Sequence, residues 1–227
     1  MSEERIRTSI LLFSLFIIAI CGIIYELIIG SISSYLLGDR VHQFSITIGL
    51  FMCSMGLGSY LSKGLKTRLI DKLILIEILI GGVGGFTSFI LCATYDSLTN
   101  LYTPVTFAVI ILIGILIGLE IPILTRIVRT YGTLGAALAN VLSFGYVGAL
   151  MGLVGFPLLL MSYFGLANTA FFLGVSNMMV VFVNLKAYRR QLARYSRLLA
   201  MACFVTGLLM AGFIISDPVQ AFLEGQL

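Results

Sequence analysis

Seven long apolar stretches, joined by short connections that are alternately basic and nearly uncharged, leave this 227-residue chain few ways to fold. They run over roughly 10–29, 44–61, 73–92, 105–124, 134–153, 166–185 and 198–215. Each is close to the ~20 residues that a helix rising 1.5 Å per residue needs to cross a ~30 Å hydrocarbon layer. Period-2 alternation is absent and the runs are twice strand length, which removes a β-barrel reading. The fifth boundary is the loosest, because apolar character continues past Gly155 and Pro157 to Met161. The chain is 59% hydrophobic and 11% charged, where a soluble domain is about 45–50% and about 25%. The expected fold class is all-α: a polytopic membrane protein of seven transmembrane helices over 1–216, followed by a short tail at 217–227. The loops leave no room for a soluble catalytic domain.

Basic residues set the expected orientation. Arg5 and Arg7 precede the first stretch, Lys63, Lys66, Arg68 and Lys72 follow the second, Arg126 and Arg129 follow the fourth, and Lys186, Arg189, Arg190, Arg194 and Arg197 follow the sixth. Of the fourteen Lys and Arg residues only Arg40 lies on the other side. The positive-inside rule then puts the N-terminus in the cytoplasm and the C-terminus outside. The Lys186–Arg197 cluster lacks the interleaved aromatics of a nucleic-acid site and reads as a topology anchor touching anionic lipid, with Tyr188 and Tyr195 at headgroup level. The first stretch has no Ala-x-Ala cleavage site and carries Glu26, so it is expected to remain in the mature protein.

Glycines four apart, Gly81 with Gly85, Gly114 with Gly118, and Gly148 with Gly152, mark faces where helices approach closely. The run Gly81-Gly82-Val83-Gly84-Gly85 is also the best place for a broken helix. None of these glycines follows a strand or precedes Lys-Ser/Thr, so a phosphate loop is excluded. Cys21, Cys53, Cys92 and Cys203 read as buried small hydrophobes. With His42 as the one histidine, neither a metal cluster nor a His-based triad is expected.

Three acids interrupt the apolar pattern: Glu26, Glu77 and Glu120. A charge in hydrocarbon costs at least about 2.5–3.5 kcal/mol on insertion scales, so each must be near an interface, protonated, paired or facing a polar cavity. Glu26 is expected near the outer side within reach of Arg40, with Asp39 a further polar candidate. Glu120 and Glu77 are expected near the inner side, with Arg126 as a partner for either. Tyr25, beside Glu26, is the polar neighbour best placed to join a site, whereas Asn140, Tyr146, Asn177 and Asn184 read as packing groups. Pro122 frees the carbonyl of Gly118, which a neighbour or ligand must satisfy. Gly22-Ile-Ile-Tyr-Glu26 and Gly118-Leu-Glu120-Ile-Pro122 sit at corresponding depths of the first and fourth stretches. This suggests two inverted three-helix units plus one helix.

The segments Gly22-Ile-Ile-Tyr-Glu-Leu-Ile-Ile-Gly-Ser-Ile-Ser-Ser-Tyr-Leu-Leu-Gly-Asp39 and Gln43-Phe-Ser-Ile-Thr-Ile-Gly-Leu-Phe-Met-Cys-Ser-Met-Gly-Leu-Gly-Ser59 carry a resemblance. With Gly118–Leu124, Gly148-Ala-Leu, Phe156-Pro-Leu-Leu-Leu160 and the tail Asp217–Leu227, they resemble the membrane region of bacterial membrane-bound spermidine synthase-like proteins. In that family such a region precedes a Rossmann-like aminopropyltransferase domain using decarboxylated S-adenosylmethionine and a diamine such as putrescine. The resemblance implies polyamine biosynthesis and a bacterial inner-membrane location. It maps no catalytic residue onto this chain and implies no cofactor unless a synthase domain follows. Where relatives tend to carry an acid before Tyr-x-Gly-Ala, this chain has Gly145.

The expected function is therefore a non-catalytic membrane domain that anchors, or presents a small cation such as a polyamine at Tyr25, Glu26 and Glu120. Two alternatives stay open: a small polyamine-like transporter, and a structural subunit of a larger membrane complex or homo-oligomer. Expected partners are membrane lipids and no nucleic acid.

Overall fold

The computed structural model describes residues 2–130, 133–216 and 221. Its elements are eight α-helical segments: α1 Ser2–Leu37, α2 Arg40–Leu61, α3 Leu69–Gly85, α4 Thr87–Ser97, α5 Tyr102–Arg129, α6 Leu134–Gly155, α7 Met161–Ala187 and α8 Tyr195–Ile214. Among the described residues there is no strand. The tail expected at 217–227 lies outside the described residues apart from Ala221, and so do the side chains of Arg5 and Arg7.

The direction of each helix follows from which residues meet. Gly30 of α1 lies against Phe44 of α2, an antiparallel pair across the turn at Gly38 and Asp39. Gly114 and Gly118 of α5 lie against Ser54 and Met55 of α2, so α2 and α5 run parallel. Gly148 and Gly152 of α6 lie against Phe16 and Ile20–Ile23 of α1, so these two also run parallel. Ser14 and Cys21 of α1 reach Asn184 and Leu173 of α7, which makes α7 antiparallel to α1. The α3 contacts Gly81 to Asn177 and Gly85 to Gly174 make α3 antiparallel to α7, and the α8 contacts of Gly82 with Val205 and Gly85 with Leu209 make α8 parallel to α3. The chain thus alternates direction through seven passes, with α3 and α4 forming one.

That pass is bent by 43°. The bend falls at Phe86, directly after Gly84 and Gly85, where residues of low helix propensity weaken the ladder. Thr87 Oγ1 donates to the Val83 carbonyl at 3.0 Å across the bend, and Ser88 Oγ donates to Leu166 O of α7 at 3.3 Å, so α4 continues along α7. The run packs closely, as expected, and the helix bends just after it, but it does not line the cavity between α1, α2, α5 and α6, as a broken helix at a site would.

Helical hydrogen bonding runs from Leu134 to Ala187, 54 residues, through a π turn at Phe156–Leu160. Since α6 is parallel to α1 and α7 antiparallel to it, this run is two passes and not one. The reversal is completed at Gly165, φ 70° and ψ −177°, a conformation open essentially to glycine alone. The connection between the fifth and sixth apolar stretches is therefore helical for most of its length.

Other expectations need correction. α1 extends to Leu37, eight residues past the expected end at 29, and α5 extends to Arg129. Cys53 and Cys203 are exposed, and only Cys21 and Cys92 are buried. Tyr188 is 1% exposed, because α7 turns it inward at its C-terminal cap, whereas Tyr195 meets the Arg189 guanidinium at 5.1 Å. Asp71, in the first turn of α3, accepts from the backbone N–H of Ala193 (3.1 Å) and Arg194 (3.0 Å) and fastens the basic α7–α8 connection.

Candidate functional site

The parallel pairs α1/α6 and α2/α5 enclose a cavity of ≈ 340 Å³ between them. The pairs form because small residues occupy the crossings. A Cβ on Gly118 would fall on the Met55 backbone, one on Gly58 on the Ile115 carbonyl, and one on Gly148 on the Phe16 carbonyl. Backbones that approach this closely gain packing that lipid or water cannot replace. α1 and α5 meet where Gly22 admits Ile117. The space left over is lined almost wholly by hydrocarbon, including Ile18, Phe51, Ile117 and Val141, with Met52 and Tyr146 exposed at its mouth.

Two carboxyls enter this lining, Glu26 from α1 and Glu120 from α5. Glu26 is 6% exposed and Glu120 1%. Glu120 Oε1 is buried with no hydrogen-bond partner. Next to it the backbone is pinned: Ser59 Oγ of α2 donates to Gly118 O at 3.0 Å, the carbonyl that Pro122 leaves without its helical donor. The satisfying neighbour expected from the sequence is thus Ser59.

Glu26 and Glu120 were expected towards opposite sides, and the structure brings both to one cavity. The reason is helix length: with α1 running to Leu37, Glu26 lies eleven residues from its end, about 16 Å at the helical rise. Among the described residues Glu26 makes no ion pair with Arg40, which is exposed at the start of α2. Asp39 is instead the N-cap of α2, its Oδ1 accepting from His42 N at 3.1 Å. Tyr25 does not line the cavity. Adjacent helical residues point about 100° apart, and the Tyr25 ring packs on Gly84, its hydroxyl buried without a partner.

Arg126 pairs with neither Glu120 nor Glu77. It donates to the carbonyls of Ser62 (3.0 Å) and Leu65 (2.9 Å) and to Ser62 Oγ (3.2 Å), all in the short turn that follows α2. Glu77 is wholly buried between α3 and α7, where Asn184 Nδ2 donates to Oε1 and Oε2 at 3.1 and 3.2 Å. Ser14 Oγ lies 3.3 Å from Asn184 Oδ1, and Asn177 Nδ2 donates to the Glu77 carbonyl at 2.6 Å. Glu77, Asn177 and Asn184 are therefore one inter-helix anchor, as buried polar groups between apolar helices tend to be. Asn140 is exposed on α6 and joins no site. Sequence reasoning missed the α6 wall, Gly145 with Tyr146. Its one signal was Tyr146, a polar group within an apolar stretch.

No family model matches this chain, and no solved structure matches it. Curated relatives do. A polyamine aminopropyltransferase of Leptospira interrogans is 41% identical over 214 residues, covering 94% of this chain and 43% of the relative. The polyamine aminopropyltransferase of Oceanobacillus iheyensis is 35% identical, covering 100% of this chain and 45% of the relative. Polyamine aminopropyltransferase 2 of Ralstonia nicotianae is 33% identical, covering 96% and 44%. On these matches the chain is related to part of the curated polyamine aminopropyltransferases, a spermidine synthase-like family, and it spans a little under half the length of those relatives.

Proposed function

We propose that this chain is the membrane-embedded, non-catalytic region of a polyamine aminopropyltransferase-like protein, and that it binds a small organic cation between Glu26 and Glu120. The observation that carries the reading is Glu120 Oε1, a buried acceptor without a partner, on a residue that lines an apolar cavity together with a second acid, Glu26. A buried polar atom left unpaired costs about 1–3 kcal/mol, and an ammonium group would supply the missing donors while its methylenes lie against the hydrocarbon lining. The lining offers two carboxyls, one tyrosine at the mouth and otherwise apolar side chains, which suits holding an amine and not making or breaking bonds. The names of the relatives make an amine of polyamine metabolism the first choice.

Seven passes of apolar length support placement in a bacterial inner membrane. The basic connections at Lys63–Lys72, Arg126–Arg129 and Lys186–Arg197 all fall on the face from which α1 starts, which supports a cytoplasmic N-terminus. The exposed apolar side chains of α6 and α8, such as Val147, Leu150, Phe204 and Met210, would then face lipid. Decarboxylated S-adenosylmethionine would be bound by a synthase domain of the whole protein.

Scintillation-proximity binding of radiolabelled 1,4-diaminobutane to the chain in nanodiscs tests the reading. Glu26→Gln and Glu120→Gln should each weaken binding by on the order of tenfold or more, the worth of one charge-assisted hydrogen bond. Unchanged binding in both variants overturns it.

A further inference from the structure

The walls of the cavity repeat. α2 (Arg40–Leu61) and α6 (Leu134–Gly155) are each 22 residues long, and they begin 94 positions apart. They are capped alike at the same spacing: Asp39 accepts from His42 N at 3.1 Å, and Thr133 from Ala136 N at 3.3 Å. The same shift carries Glu26 of α1 onto Glu120 of α5, Ser54 onto Gly148, and Gly58 onto Gly152. Packing obeys it too, since Ser54 and Gly58 meet α5 near Gly114–Gly118 while Gly148 and Gly152 meet α1 near Phe16–Ile23. Because α1 is antiparallel to α5 and α2 to α6, the two units are inverted. α3 and α7 pack antiparallel on each other, as helices crossing a shared two-fold axis do.

The axis runs through the cavity. Ile23 and Ile117, Glu26 and Glu120, Phe51 and Gly145, Met52 and Tyr146, and Met55 and Ala149 all line it, each pair 94 apart. Away from the axis the symmetry is broken. Leu15, Ile18, Ala19, Gly22, Val141 and Leu142 extend the lining towards the N-terminal ends of α1 and α6. Their mates Val109, Leu112, Ile113, Leu116, Thr47 and Ile48 do not line it. Two copies of one unit therefore stand in two conformations around one pair of carboxyls. If each adopts the other's conformation, the result is a closely related state whose cavity extends towards the opposite face.

We propose that the chain is an alternating-access carrier for small organic cations, its two repeats exchanging conformations about the Glu26–Glu120 axis, with the present state extended towards the face where α1 begins. This rests on the cation-binding reading of the two carboxyls, and flux separates it from binding alone.

The test uses the full chain in proteoliposomes, with [14C]1,4-diaminobutane counterflow measured beside nanodisc binding of the same compound. Counterflow should exceed that of empty liposomes and fall by on the order of tenfold in Glu26→Gln and Glu120→Gln, the loss of one charge-assisted contact. In a variant without the native cysteines, Ala19→Cys should react with an impermeant maleimide from the face where α1 begins. Ile113→Cys, its mate, should react from the other face, and 1,4-diaminobutane should shift the two rates in opposite directions. Binding without counterflow, in a sample that elutes as a single folded species, overturns the carrier and leaves the binding site standing. Loss of both overturns the site as well. An Ile113→Cys variant that stays unreactive from the far face while Ala19→Cys reacts also overturns the exchange.

Discussion

The Ser59 hydroxyl of α2 donates to the Gly118 carbonyl of α5 at 3.0 Å, four residues before Pro122. One helix thereby supplies the donor that proline removes from another, two residues from Glu120. Ser59→Ala should destabilise the protein by about 1–3 kcal/mol, the cost of orphaning a buried acceptor. In a Pro122→Ala background the backbone N–H is restored, so the same substitution should cost less than half as much. Thermal unfolding of the four proteins in one detergent, read as a double-mutant cycle, checks the coupling.

Asn184 holds the buried carboxyl of Glu77 with its side-chain amide. Asn184→Leu should lower stability by about 1–3 kcal/mol or more, because a buried charged or polar group loses its donor. Glu77→Leu combined with Asn184→Leu should recover much of the loss, since both polar partners are then replaced by hydrocarbon. A double variant as unstable as Asn184→Leu alone would contradict a purely structural role for Glu77.

Gly152 lies against Ile20 and Ile23 of α1, whereas a Cβ at Gly56 meets nothing within 4 Å. Gly152→Leu should therefore separate α6 from α1 and cost about 1–3 kcal/mol or more through overpacking. Gly56→Leu should be close to neutral. The contrast in melting temperature measures helix approach and not glycine content.

The reversal between α6 and α7 depends on Gly165 at φ 70°. Gly165→Ala should cost about 1–3 kcal/mol through backbone strain, while Gly155→Ala, where a Cβ finds open space, should cost little. Equal melting temperatures for the two variants would count against the reversal at this residue.

On the proposed membrane placement, the alternating helices put Lys66 and Arg190 on one face and Arg40 and Leu98 on the other. Single-cysteine substitutions at these four exposed positions should label in two pairs from opposite sides of sealed vesicles. Lys66→Cys labelling from the same side as Leu98→Cys would remove one pass from the count.

Much of the architecture was legible before any coordinates. The apolar runs and the basic connections specify helices and their alternation, because length and charge act locally and need no knowledge of neighbours. The glycine pairs announced close crossings, and Pro122 announced a carbonyl in need of a donor. Which helix would answer was not legible. That Ser59 and not a ligand reaches Gly118, that Arg126 serves carbonyls and not carboxylates, and that Tyr25 turns away from Glu26 all depend on which faces meet. Contacts between residues far apart in sequence leave no local periodic trace. The two acids could be recognised from sequence as costly in an apolar setting. Only the crossing of α1/α6 with α2/α5 brings them to one cavity and leaves Glu120 Oε1 without a hydrogen-bond partner, since a shared cavity is a property of packed helices and not of any one segment.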